Sequence, residues 1–193
     1  MNSLIKIRLR DHLNMINLIV SNISFLENID FITEIIIGAF NNGHKVLLCG
    51  NGGSAADAQH IAAELSGKFK FDRDPLFAEA LHTNSSYLTA VANDYGYEFI
   101  YSRLIKCIGN EDDILIAIST SGNSKNIINA MIEAKNRKMK IISFTGEEPN
   151  NMDNLSEYSI KIPSTDVARV QEGHILIGHI ICEMIENKIF NIK

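Results

Sequence analysis

From residue 45 onward, short apolar runs alternate with stretches of helical spacing, and this alternation constrains the fold more than any other feature. Strands separated by crossover helices build a parallel sheet covered on both faces. The runs place strands at 45–49, 77–81, 113–118, 140–144 and 158–162, and helices near 54–67, 85–93, 97–107, 124–137 and 167–187. A helical part precedes them, over about 1–43. Ile5, Leu9, Leu13, Ile16, Val20 and Ile23 fall on one stripe. Asp30 is placed to cap a second helix through Phe31, Ile32, Ile35, Ile36, Ile37 and Phe40, which Asn41-Asn42-Gly43 ends. That helix is apolar around most of its circumference, as buried helices are. The expected fold class is α/β: a five-stranded parallel sheet flanked by helices, an αβα sandwich with an N-terminal helical extension. One domain is expected over 1–193, its sheet-containing core about 44–187. Three prolines mark no linker, and internal repeats are absent.

Composition narrows the partners. Eighteen basic residues against 23 acidic ones leave a net charge of −5, which argues against nucleic acid. No apolar run reaches the roughly 18–20 residues of a membrane span. Lys6, Arg8, Arg10 and Asp11 interrupt the N-terminus, so it does not read as a signal peptide. Cys49, Cys107 and Cys182 form no CxxC pair and fit a reducing compartment, so a cytoplasmic location is expected.

In parallel sheets, ligands sit beyond the carboxyl ends of the strands. Two loops there have unusual chemistry. In Cys49-Gly50-Asn51-Gly52-Gly53-Ser54, three glycines let backbone N–H groups approach a ligand, and Ser54 occupies the place of an N-cap hydroxyl. A tight turn with a capping serine is the plain alternative. A dinucleotide fingerprint would need Gly at 55, where the chain has Ala55, and no Gly-Lys-Ser/Thr follows. In Ser119-Thr120-Ser121-Gly122-Asn123-Ser124, four hydroxyls and an amide precede a helix, where its dipole favours an anion. Capping alone would need one. Neither loop has a central Lys, which favours a small sugar phosphate over a nucleoside triphosphate.

His60 and Glu64 stand four apart on the helix after the glycine loop, so they share a face and can meet one metal ion or one substrate. Such a pair is also common on ordinary helix surfaces. Ala55, Ala56, Ala58, Ala62 and Ala63 make this helix slim enough to pack closely. The last helix opens with Arg169-Val170-Gln171-Glu172-Gly173-His174 and carries His179 beside an apolar stripe of Ile175, Leu176, Ile180, Ile181, Met184 and Ile185. Gln171 and His174 are better spaced for a shared face than Gln171 and His179. His12, His44 and His82 have no partner pattern and read as structural or surface positions.

These motifs, together with Asn93-Asp94-Tyr95-Gly96, resemble the phosphoheptose isomerases, sedoheptulose 7-phosphate isomerases of the sugar-isomerase (SIS) domain family. The resemblance runs from about residue 4 to 187. It implies a homotetramer and a bacterial route to activated heptose for lipopolysaccharide or capsule. It implies one Zn2+ per subunit on His60, Glu64, Gln171 and His179, with Glu64 and His179 as the catalytic pair. Substrate contacts would map to Asn51, Gly52, Gly53, Ser54, Glu64, Asn93, Asp94, Ser119, Thr120, Ser121, Ser124 and Gln171. Lys68, Asn84 and Val167 depart from the family's usual Arg, Asp and Thr, which touches fine specificity and not the reaction class. A non-catalytic relative, such as a regulator that binds a replication initiator, is the alternative. It is expected to lack part of the ligand set, which is complete here.

The reaction moves a proton between adjacent carbons and needs a base, a proton shuttle at oxygen and a stabiliser for an enediolate. Glu64 suits the first task and His179 the second. On a continuous helix, however, Gln171 and His179 are about 12 Å apart along the axis and roughly 80° around it. Either Gln171 precedes the regular helix, or one site draws on two subunits. The apolar N-terminal helices likewise suggest surface buried between copies, with active sites at subunit interfaces.

Overall fold

The structure, a computed structural model, describes residues 3–191. Two helices open it, α1 (Ser3–Ser21) and α2 (Ile23–Asn41). The five strands are β1 (Val46–Gly50), β2 (Ala78–Ala80), β3 (Ile114–Ile118), β4 (Lys140–Gly146) and β5 (Tyr158–Ile162). Between and after them run α3 (Gly53–Ser66), α4 (Ser85–Tyr95), α5 (Ile100–Ile108), α6 (Lys125–Asn136) and α7 (Val167–Ile189). Every pairing is parallel, in the order β2-β1-β3-β4-β5. The expected sheet and its flanking helices are therefore present. The helix expected over 97–107 is a 3-10 turn, Tyr97–Phe99, followed by α5.

The period-two alternation of strand side chains splits the core into two layers. Val46, Leu48, Ile114, Ile116 and Ile142 face α1, α2, α3 and α7. Leu47, Cys49, Leu115, Ala117 and Ile141 face α4, α5 and α6. Strands buried on both faces are what continuous apolar runs encode.

The N-terminal helices differ from expectation in two ways. Asp30 caps nothing: it lies inside α2 and pairs with Lys188 at 3.0 Å. The cap is Asn22, whose side chain accepts from the Phe25 N–H, so Ile23 begins the second helix and does not continue the first. The stripe of α1 also points outward. Leu9 is 61% exposed, Val20 64% and Ile23 70%, while Met15 and Ile19 supply the buried contacts.

Candidate active site

Because β1 and β3 are neighbours, their carboxyl ends bring the two unusual loops side by side. Tyr101, buried on α5, donates its hydroxyl to the Gly50 carbonyl at 2.5 Å and fixes the end of β1. The chain then turns at Gly52, whose φ of +55° few L side chains tolerate. That turn starts α3 one residue earlier than expected. Gly52 is its N-cap, and Ser54 is a buried helical residue that does not cap. The first N–H groups of α3 thus receive no side-chain acceptor from the cap.

The second loop leads into α6 with Ser124 as N-cap. Ser119 Oγ and Ser124 Oγ lie 3.3 Å apart, and the Ser124 hydroxyl makes no capping bond, so both can turn towards an anion. Thr120 and Ser121 line a cleft of about 260 Å³ together with Asn123, Gly146, Ser164 and Thr165. The loops are tied to each other. Asn51 and Asn126 exchange side-chain hydrogen bonds, and Tyr97 donates its hydroxyl to Asn51 Oδ1 at 3.2 Å. Asn93 and Asp94 lie exposed at the end of α4, the Asn93 amide donating to Asp94 Oδ1 at 2.8 Å.

On the other side of the sheet, α3 and α7 approach closely. A Cβ at Gly178 would lie 2.6 Å from Ile61 Cδ1, so the crossing requires glycine there. The approach brings His60 Nε2 within 3.3 Å of Glu64 Oε1 and within 2.8 Å of His179 Nε2. Ligand atoms of His60, Glu64 and His179 all lie within 4.8 Å of one another. Two imidazole nitrogens and a carboxylate are a zinc-type donor set, and the partial exposure of the cluster leaves an open side for substrate. Phe69 closes another side, its ring centroid 5.7 Å from that of His179.

Gln171 meets the start of α3. It lies within the regular turns of α7, which removes the alternative that it precedes the helix, and its side chain sits over Gly53, where a Cβ would come 2.5 Å from its Nε2. His174, five residues before His179 on α7 and fully buried, reaches the Thr145 carbonyl at 3.2 Å. Burial holds its imidazole down at about 4, despite that hydrogen bond. His12 does have a partner, Glu172 Oε2 at 2.6 Å, a contact 160 residues apart that no local pattern signals.

Spacing passed over four residues near these loops. Asp57 lies one turn before His60 on α3. Burial raises its carboxyl to about 6 against the opposing effect of His60, and its Oδ2 is buried without a partner. The pattern Asp57, His60, Glu64 was available as a signal. Ser164 and Thr165 precede a helix as Ser119–Ser124 do, which is the same signal in shorter form. Asn126 carried none, because only the fold shows what it faces.

A family description, the SIS domain, matches residues 13–146. The phosphoheptose isomerase of Clostridium acetobutylicum is 45% identical over 193 residues, covering 100% of this chain and 98% of that protein. Among solved structures, a phosphoheptose isomerase from Francisella tularensis superposes with a TM-score of 0.90 at 35% identity, over 97% of this chain and 100% of that one. The phosphoheptose isomerase GmhA from Neisseria gonorrhoeae gives 0.88 at 35% identity, over 95% and 97%.

Proposed function

The chain belongs to the SIS-domain family, and we propose from that premise that it converts D-sedoheptulose 7-phosphate to D-glycero-D-manno-heptose 7-phosphate in heptose biosynthesis. The observation that carries the reading is that His60 and Glu64, on the helix that opens at the glycine loop, meet His179 of α7. His60 stands seven residues beyond Gly53, about 10 Å along α3. An extended seven-carbon sugar phosphate spans a comparable distance, with its phosphate at the loops and its carbonyl end at the cluster.

Each residue then has a task. Ser119, Thr120, Ser121 and Ser124 donate to the phosphate, aided by the α6 dipole. Asn51, Gly52, Gly53, Ser54, Asn93, Asp94 and Gln171 border the sugar. Glu64 removes the proton from C1 and returns it to C2, while His179 carries the proton between the two oxygens. Binding energy at the phosphate, remote from the reacting carbons, orients them for that transfer. His60, Glu64 and His179 would hold a zinc ion, which supplies charge stabilisation for the developing enediolate.

The outward stripe of α1, with Leu9, Leu13 and Val20 exposed, together with exposed Ile23 at the start of α2, supports a homotetramer that covers it. The Gln171 side chain sits over Gly53, about 10 Å along α3 from His60, so Gln171 of the partner subunit is the fourth metal ligand in this reading, and the sites lie at subunit interfaces. Residues 1–193 act as one domain. Three free cysteines, two of them buried, suit the cytoplasm. Among the described residues no helix is long and apolar enough to cross a membrane.

The test is an assay of purified protein with sedoheptulose 7-phosphate, the product identified by NMR, alongside metal analysis of protein prepared without chelator. Turnover with about one zinc per chain is expected. No turnover would refute the reaction, and full turnover by metal-free protein would refute the zinc.

A further inference from the structure

Two turns beyond His179 on α7, a second polar group is buried with no part in the chemistry above. Glu186 is 1% exposed. Its carboxylate accepts from three consecutive backbone N–H groups of the strap after α3: Phe69 at 2.8 Å, Lys70 at 3.0 Å and Phe71 at 2.7 Å. Arg73 Nε approaches it at 3.4 Å, and both side chains are almost wholly buried. The guanidinium of Arg73 then turns to the end of α3. It donates to the carbonyl of Glu64 itself at 2.8 Å, to Leu65 at 2.8 Å and to Gly67 at 3.1 Å. These are carbonyls at the end of α3, at the negative end of its dipole.

We propose that Glu186 and Arg73 are a positioning pair that fixes how far the α3-borne His60 and Glu64 stand from the α7-borne His179. Seven residues on a helix is nearly two whole turns, so Glu186 lies on the same face as His179, about 10 Å along the axis. One end of the network therefore rests on the helix of His179. The other end holds the backbone of Glu64. Between them, the strap carries Phe69, whose N–H binds Glu186 and whose ring packs on His179.

Stability alone does not call for such an arrangement. A buried ion pair is costly to desolvate, and apolar residues of similar volume often hold two helices as well or better. Apolar contacts slide, however, whereas three N–H donors and the carbonyl acceptors at the end of α3, held by one charged pair, fix direction as well as distance. Metal–ligand bonds near 2.0–2.2 Å tolerate little slack.

The inference rests on the isomerase and zinc reading, and its test reads a different quantity. Glu186→Gln keeps the size of the side chain but loses the charge and one acceptor. In the full-length protein stripped of metal, zinc affinity is measured by competition with a chromophoric chelator. In the reloaded protein, kcat and KM for sedoheptulose 7-phosphate are measured separately. Expected is zinc binding weakened about tenfold and kcat reduced about tenfold, with KM within about twofold because the phosphate loops are remote. A folded variant with lower melting temperature but wild-type zinc affinity and kcat overturns the proposal. Should Glu186→Gln not fold, Arg73→Lys serves: it keeps the charge but cannot hold the Glu64 and Leu65 carbonyls together. Wild-type zinc affinity and kcat in that variant overturn the proposal equally. Failure of the isomerase reading would appear in the wild-type protein, and failure of this one only in the variants.

Discussion

The side-chain amides of Asn51 and Asn126 exchange two hydrogen bonds, at 2.9 and 2.8 Å, and so lock the glycine loop to the first turn of α6. Asn126 is 4% exposed, and its Oδ1 also accepts from the Ile127 N–H. Asn126→Asp keeps the shape but turns one donor into an acceptor facing the Asn51 oxygen. An unsatisfied buried polar group costs about 1–3 kcal/mol. The variant should raise KM for the sugar phosphate about tenfold, or about 1.4 kcal/mol. An unaltered KM in folded protein would show that the two loops do not depend on each other.

Ser119 and Ser124 face each other across the mouth of the hydroxyl loop at 3.3 Å. Replacing both with Ala removes the two donors proposed to meet one phosphate. Binding of sedoheptulose 7-phosphate, followed by calorimetry, should weaken at least about tenfold. Equal affinity in the double variant would move the phosphate elsewhere.

Glu64 and His179 meet within one chain. Glu64→Gln keeps size and polarity and removes the proposed base, so turnover should fall to near background. His179→Ala should do the same. Because both groups belong to one subunit's cluster, mixing the two inactive variants under verified subunit exchange should restore nothing. Recovery of activity would place the two residues of one site on different chains.

His174 makes acid stability a measurable property of α7. Its folded-state value of about 4 lies below the ordinary 6.5, so the unfolded chain binds more protons between the two. The stabilisation is present above pH 6.5 and is lost as pH falls towards 4, on the order of 3 kcal/mol at 1.4 kcal/mol per tenfold change in proton affinity. His174→Gln, which can still donate to Thr145, should flatten the melting-temperature profile over that window. A profile with the wild-type slope would mean that another group titrates there.

How much of this was legible depends on whether the signal was local. The strands were, because apolar runs buried on both faces look the same in any parallel sheet, and 158–162 needed no adjustment. The outward direction of the α1 stripe was not: Met15 and Ile19 face the body about 100° round from it, and the packing of α7 and α2 selects that arc. Asp30 resembled a cap because a polar residue before an apolar run is ambiguous, and Asn22 won by reaching the Phe25 N–H. His60 and Glu64 were legible as an i,i+4 pair. His179 joining them was not readable from spacing, since it depends on Gly178 letting α7 come down onto Ile61. Glu186 and Arg73 stand 113 residues apart and carry no motif at all.

The sheet order has one more consequence. Since β1 and β3 pair directly while the chain between them travels through β2, α4 and α5, a sugar phosphate touching Gly53 and Ser119 joins two ends of a long excursion. Bound as proposed, it would act there as a reversible cross-link, present only in the folded chain. Ligand at a hundred times its dissociation constant adds about 2.7 kcal/mol against unfolding. On the proposed binding, the stability of the folded protein would then follow the supply of the molecule it consumes.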